Sequence, residues 1–359
     1  MGYLPKKFEM ERQNKSQYLD VLQIFRGIAA VMVVIHHSVG SLKYYHHLDN
    51  SFLIFIGKLG KFGVDFFFVL SGFIISYSSY FKVKQSGAFK NYFINRVLRI
   101  YIPYLPIGIF MLLLYTFVPS FSSVERSISI FTTFTLFPNG NPALSVAWTL
   151  TFEITFYILF SIMFFSKKLW NYFVSFWIVG ILVFNIYFLS DQNIEYSPVI
   201  RTIFSLYNLE FLLGYFLSLL ILTEIKFNKK IILGLILVLI VTFFYCNYFK
   251  ISYYKFFTNT QVSVLVFLTL YYYINYHNYE IRKKAIFMLV GNATYSIYLI
   301  HNPLQMIIIR FLPKSNGLSY AVLVIFIVII ISCIVGYTYY KIFEVFLLNK
   351  TKSYLIKKQ

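Results

Sequence analysis

Of 359 residues, 59% are hydrophobic and 13% charged, with a mean hydropathy of +0.70; that balance excludes an ordinary soluble domain and predicts a polytopic membrane protein in contact with a lipid bilayer. A net charge of +19 would suggest nucleic acid in a soluble domain, but here the basic residues sit in short loops between apolar runs, so they are read as topology signals and no nucleic-acid partner is expected. Cys246 and Cys333 both lie inside apolar runs, so neither a disulfide framework nor a metal site is expected.

Residues 1–17 are polar and basic, unlike the leading region of a signal peptide, and read as a cytoplasmic segment before an anchor that stays in the protein. Apolar runs then predict ten spans, at about 20–40, 62–81, 100–118, 146–165, 170–189, 200–222, 231–249, 259–277, 286–311 and 318–346. The fold expected is all-α with about ten transmembrane helices, a membrane domain over 18–346 and a basic tail over 347–359. With the N-terminus inside, the cytoplasmic segments hold 21 Lys and Arg and the outer segments nine. That bias predicts both termini on the cytoplasmic side. The outer segment 119–145 carries turn signals at Pro119, Pro138, Gly140 and Pro142 around the apolar piece 128–137; it is expected either to dip into the membrane or to cap its outer face.

Five stretches place polar groups where stability alone would not. In the first span Arg26 and His37 are eleven residues apart, which at about 100° per residue puts them on nearly one helix face, about 16 Å apart along the axis. Arg26 either snorkels to the interface or lines one end of a channel whose other end is His37. His36 points well away. In the second span Asp65 is expected near the outer end, as a functional carboxylate or a helix cap, and Ser71-Gly72 deep within, where small residues let helices approach. Arg96 and Arg99 share a face at the cytoplasmic entry of the third span, where two guanidiniums can grip a polyphosphate or simply supply inside-positive charge. Glu153 is expected about two turns below the outer surface, a depth at which a carboxylate is a functional candidate. His301 precedes Pro303, which is expected to break its span; the histidine is either catalytic or a bridge between helices.

Together the Arg26 to His37 helix, Gly63-Val64-Asp65-Phe66-Phe67-Phe68-Val69-Leu70-Ser71-Gly72-Phe73, the Arg96/Arg99 pair before Tyr101 and Pro103, Trp148-Thr149-Leu150 with Glu153, and Tyr295 to His301 resemble the acyltransferase-3 family of integral membrane acyltransferases. The resemblance runs from about residue 20 to 346. It departs at Gln23, where members often carry an acid three before the arginine, and at Val345, where many carry a proline soon after the glutamate at the position of Glu344.

The resemblance implies a cytoplasmic acyl-CoA donor, usually acetyl-CoA, with no tightly bound cofactor, and O-acylation of an extracytoplasmic or lipid-linked glycan by a protein of the cytoplasmic membrane. It carries the catalytic histidine onto His37. The expected roles are His37 as general base, Glu153 orienting it, Asp65 and His301 completing the outer catalytic set, Arg26 facing the donor path, and Arg96 and Arg99 holding the phosphates of CoA. A non-enzymatic carrier for a lipid-linked glycan is the alternative, with the same anion site and no acyl product.

Overall fold

The computed structural model describes residues 6–83, 85–121, 127–188, 195–249, 255–276, 285–315 and 317–357. Lys84, Arg126, Lys250, Arg282, Lys283, Lys284 and Lys358, which enter the topology count, lie outside the described residues.

The chain is organised on α1 (Lys6–His46), a 41-residue helix about 60 Å long and so about twice the thickness of a hydrocarbon core. The helix begins well before the expected first span and carries the polar segment 6–17 with it. Its membrane half packs against α2 (Ser51–Gly60) and α3 (Gly63–Ser79), and later against α13 (Ala285–Asn292), α14 (Thr294–Phe311) and α15 (Leu318–Tyr339). Small residues allow that closeness. A β-carbon added at Gly60 would stand 2.4 Å from the Met32 carbonyl, and one at Gly291 2.2 Å from that of Gln23.

The second span does not begin at residue 62. The apolar helix α2 already runs down along α1, its Gly57 against Val39, and a short turn at 61–62 passes the chain to α3. Asp65 is therefore fourteen residues in from Ser51, about 20 Å, and the ring of its neighbour Phe66 stacks on Phe25 at 6.1 Å. The expectation of Asp65 near the outer end is corrected accordingly.

α4 (Ala88–Phe117) is a single 30-residue helix with Pro103 and Pro106 inside it. The segment that follows dips back. Its short helix α5 (Ile130–Thr135) ends with the Thr133 carbonyl accepting from Tyr104 Oη at 2.7 Å and the Thr135 carbonyl accepting from Tyr101 Oη. Those tyrosines lie about 20 Å from the outer end of α4. Backbone groups of a non-spanning segment thus find protein donors at depth, the condition under which such segments are tolerated.

The remaining helices are α6 (Trp148–Phe160), α7 (Ile162–Phe165), α8 (Lys167–Val183), α9 (Pro198–Ile203), α10 (Tyr207–Leu222), α11 (Lys229–Tyr248), α12 (Lys255–Tyr276) and α16 (Val345–Lys357). α3 and α10 form the closest helix pair: a β-carbon at Gly72 would fall 2.0 Å from the Phe211 carbonyl, and one at Gly214 2.0 Å from that of Val69. A π-turn at Tyr340–Glu344 joins α15 to α16.

Among the described residues seven helical stretches are long and apolar enough to cross a membrane: Val21–His46, Ala88–Phe117, Ser145–Phe165, Lys167–Tyr187, Pro198–Leu222, Lys229–Tyr248 and Leu318–Thr351. The other three expected spans are also helical, but α3 has only 17 residues, α12 is rich in Tyr, Asn, Thr and Gln, and 286–311 is divided. Its division is not at Pro303, which stays inside α14, but at Asn292–Ala293. Two residues before the proline, His301 Nδ1 donates to the Tyr298 carbonyl at 2.6 Å.

Candidate active site

A wide mouth of about 830 Å³ and a narrow inner chamber of about 60 Å³ meet at Arg26, Arg96, Arg99 and Tyr295, which line both. α1, α4 and α14 supply these side chains, and α3 closes the chamber with Val64, Phe67, Phe68, Ser71, Ile74 and Ile75, a spacing of three and four that presents one helix face. The spacing of Arg96 and Arg99 does what it predicts: both point to the same space.

Two of the guanidiniums are held by hydrogen bonds. Arg26 Nη1 donates to Gln23 Oε1 at 3.0 Å, so the glutamine at the family's acidic position still anchors the arginine. Arg96 Nη2 donates to Ser78 Oγ at 3.1 Å, with its plane over the rings of Tyr92 and Tyr157 at 5.8 and 5.6 Å. The mouth also takes in Lys82, Asn91, Asn95 and Glu344. Glu344, placed by the π-turn, accepts from Ser296 Oγ at 2.6 Å.

Glu153 is in this chamber and not beside His37. Its Oε1 accepts from Ser71 Oγ at 3.4 Å and from Tyr157 Oη. The role of orienting His37 that the sequence assigns to it is therefore not met by its contacts. Ser71, read from sequence as a packing residue, faces the chamber, while its neighbour Gly72 makes the close helix contact.

His37 forms a second cluster. Its ring is 5.2 Å from that of His301 and 5.0 Å from that of His36. Its Nδ1 is 3.5 Å from Asn302 Nδ2, which donates to Ser145 Oγ at 3.0 Å. His36 turns the other way, its Nδ1 donating to the Gly57 carbonyl at 2.8 Å, as the facial geometry predicts. His301 is fully buried, and its Nδ1 bond to a carbonyl leaves the lone pair on Nε2, which has no hydrogen-bond partner among the described residues.

Arg26 and His37 do not end one open channel. Tyr298 and Thr149, joined Oη to Oγ1 at 2.9 Å, line the chamber on one side, and the Tyr298 ring is 5.6 Å from that of His301 on the other. With Phe67, 5.5 Å from Tyr298, they form the partition between arginines and histidines.

Asp65 belongs to neither place. It is 3% exposed on the opposite side of α3, beside Glu210 of α10, which accepts from Ser263 Oγ of α12 at 3.2 Å. Glu210 was missed, although a carboxylate in an apolar run is the same signal that singles out Glu153. Tyr157, four after Glu153, and Tyr295, Tyr298 and Asn302, spaced three and four, were legible as helix-face partners of the quoted residues.

Arginines able to take an anion, a chamber narrow enough for a thin arm, and a histidine cluster beyond it make a site suited to acyl transfer. A family profile described as an acyltransferase domain matches residues 18–337. No curated protein and no solved structure matches the chain significantly. The match covers most of the sequence, and the chain belongs to the acyltransferase-3 family of membrane acyltransferases.

Proposed function

We propose that this membrane acyltransferase moves an acyl group, acetyl in the first instance, from acyl-CoA at the cytoplasmic face to a hydroxyl of an extracytoplasmic or lipid-linked glycan, from a bundle of ten spans in the cytoplasmic membrane with both termini inside. The observation that carries this reading is the joined pair of chambers with three arginines at their junction. A nucleotide fits the mouth, where Arg96 and Arg99 meet its phosphates through charge-assisted bonds. The pantetheine arm enters the narrow chamber past Arg26 and, with the Tyr298 and Thr149 side chains turned aside, presents the thioester to His37.

A thioester is already activated, so the protein has to position, deprotonate and stabilise. His37 takes the hydroxyl proton as the oxygen attacks the thioester carbonyl. The C–O bond forms, the tetrahedral oxyanion collapses, the C–S bond breaks, and the leaving thiolate takes the proton from His37. His301, its ring 5.2 Å from that of His37, stands beside the imidazolium while it lasts. Glu153 holds Tyr157 and Ser71 and gives Arg26 its counter-charge. The Asp65–Glu210 pair ties α3 to α10 away from the chemistry.

The test is thermal stabilisation of the purified protein by CoA, by dephospho-CoA and by pantetheine, alongside ester formation from acetyl-CoA. Stabilisation should fall in that order as phosphates are lost. Absence of both CoA-dependent stabilisation and ester would leave a carrier in place of an enzyme.

A further inference from the structure

The reading of His37 as a base leaves a vacancy in the mechanism: Glu153, the residue chosen from sequence to orient it, spends its hydrogen bonds on Ser71 and Tyr157. The group that meets His37 is an amide. Asn302, one residue after His301 on α14, stands between Nδ1 of His37 and the hydroxyl of Ser145 at the start of the sixth helical segment. Both neighbours can either donate or accept, so a half-turn about the Cβ–Cγ axis of Asn302 lets its oxygen, in place of its nitrogen, meet the same two atoms.

Only that orientation suits catalysis. With the amide oxygen inward, His37 donates its Nδ1–H, the Ser145 hydroxyl donates to the second lone pair of the same oxygen, and His37 Nε2 carries the lone pair that must take a proton. With the nitrogen inward, Nδ1 is occupied as an acceptor and Nε2 carries a hydrogen. We infer that Asn302, braced by Ser145, is the positioning residue of His37, and that it fixes the tautomer whose Nε2 is free to act as base. This rests on His37 being the base. The arrangement is that of histidine-asparagine pairs in which a neutral amide does the orienting, and a neutral group avoids placing a second carboxylate at membrane depth. Pro303 immediately follows, so Asn302 sits where the helix ladder lacks one N–H, and the side-chain bond to Ser145 pins it across to the neighbouring segment.

Three substitutions and one spectrum decide it. N302L keeps the volume and removes the acceptor; N302D keeps an acceptor oxygen in place. With the acceptor essential, N302L loses about ten- to a hundredfold in kcat, as expected for a lost positioning hydrogen bond, with little change in KM for acetyl-CoA, and N302D recovers most of that loss. Equal loss in N302L and N302D, or full kcat in N302L, overturns the inference. CoA-dependent thermal stabilisation checks that each variant is folded. In the wild-type protein labelled with ¹⁵N-histidine, the resonance that disappears in H37A should be that of an Nδ1-protonated ring; an Nε2-protonated ring overturns the inference even if no variant at 302 folds. H37A also separates the two readings: if it transfers normally, the base assignment fails, whereas a dead H37A beside an active N302L sinks only the role of Asn302.

Discussion

The two adjacent histidines of α1 have different work because one residue of helix is 100° of rotation. His36 is bound to the Gly57 carbonyl of α2, and His37 faces His301 and Asn302. H37A should lose on the order of 10²–10⁴-fold in transfer, the usual contribution of a positioned base. H36A should keep most of its turnover and instead lower the unfolding temperature, since it removes a hydrogen bond worth about 1 kcal/mol. A dead H36A beside an active H37A would reverse the assignment. Glu153 should separate from His37 in the same assay. E153Q removes the counter-charge of a cationic chamber without touching the base, so its kcat should fall far less than that of H37A; equal losses would return Glu153 to the base's side.

The face of α4 that carries Arg96 and Arg99 is, on the proposed function, the grip on the donor. Replacing both by Gln should raise the KM for acetyl-CoA steeply, and far less for an acetyl-pantetheine thioester that lacks the nucleotide; replacing either by Lys keeps charge but loses the planar fork, and should weaken donor binding beyond what charge alone explains. Unchanged donor affinity in the Gln pair would remove the phosphate site from α4. The α3–α10 contact is a separate test of packing. G72A would push a methyl into the Phe211 carbonyl, and such overpacking typically destabilises by about 1–3 kcal/mol, read as a lower unfolding temperature.

The same two elements show what was legible. Helical spacing was enough to pair Arg96 with Arg99 and to set His37 apart from His36, because rotation is fixed by chain position within one helix. Depth was not, because it must be counted from where a helix starts. Asp65 looked shallow since α2 upstream reads as an outer loop with lysines at 58 and 61. Glu153 reads as shallow when depth is counted from residue 146, the expected start of its span, yet Ser145 already stands with Asn302 beside His37, the preceding segment having carried the chain inward with α5. Contacts across the bundle, such as Glu210 on Asp65 and Asn302 on His37, have no periodicity to betray them.

For the whole molecule, the apolar runs predict ten spans and the basic residues predict both termini inside, while among the described residues seven helical stretches are long and apolar enough to cross a membrane. Gln23 meets Gly291 at the arginine end of the bundle, and His46 meets the Ile309 carbonyl at the histidine end, so α1 and α14 run the same way. Reporter fusions after Lys168 and Lys230 should read cytoplasmic and a fusion at Ser120 external; an external signal at Lys230 would mean that one span has been miscounted.

On the proposed function, acyl groups enter at the arginines and leave at His37, across the partition of Tyr298 and Thr149. Inside-out membrane vesicles from the native host expose the arginine side, so labelled acetyl-CoA added outside them reaches the mouth and not the histidine cluster. Labelled ester should accumulate on glycan inside the lumen with the wild-type protein and vanish with H37A, while right-side-out vesicles given the same donor stay unlabelled. Equal labelling from both orientations, or lumenal ester undiminished in H37A, would contradict it.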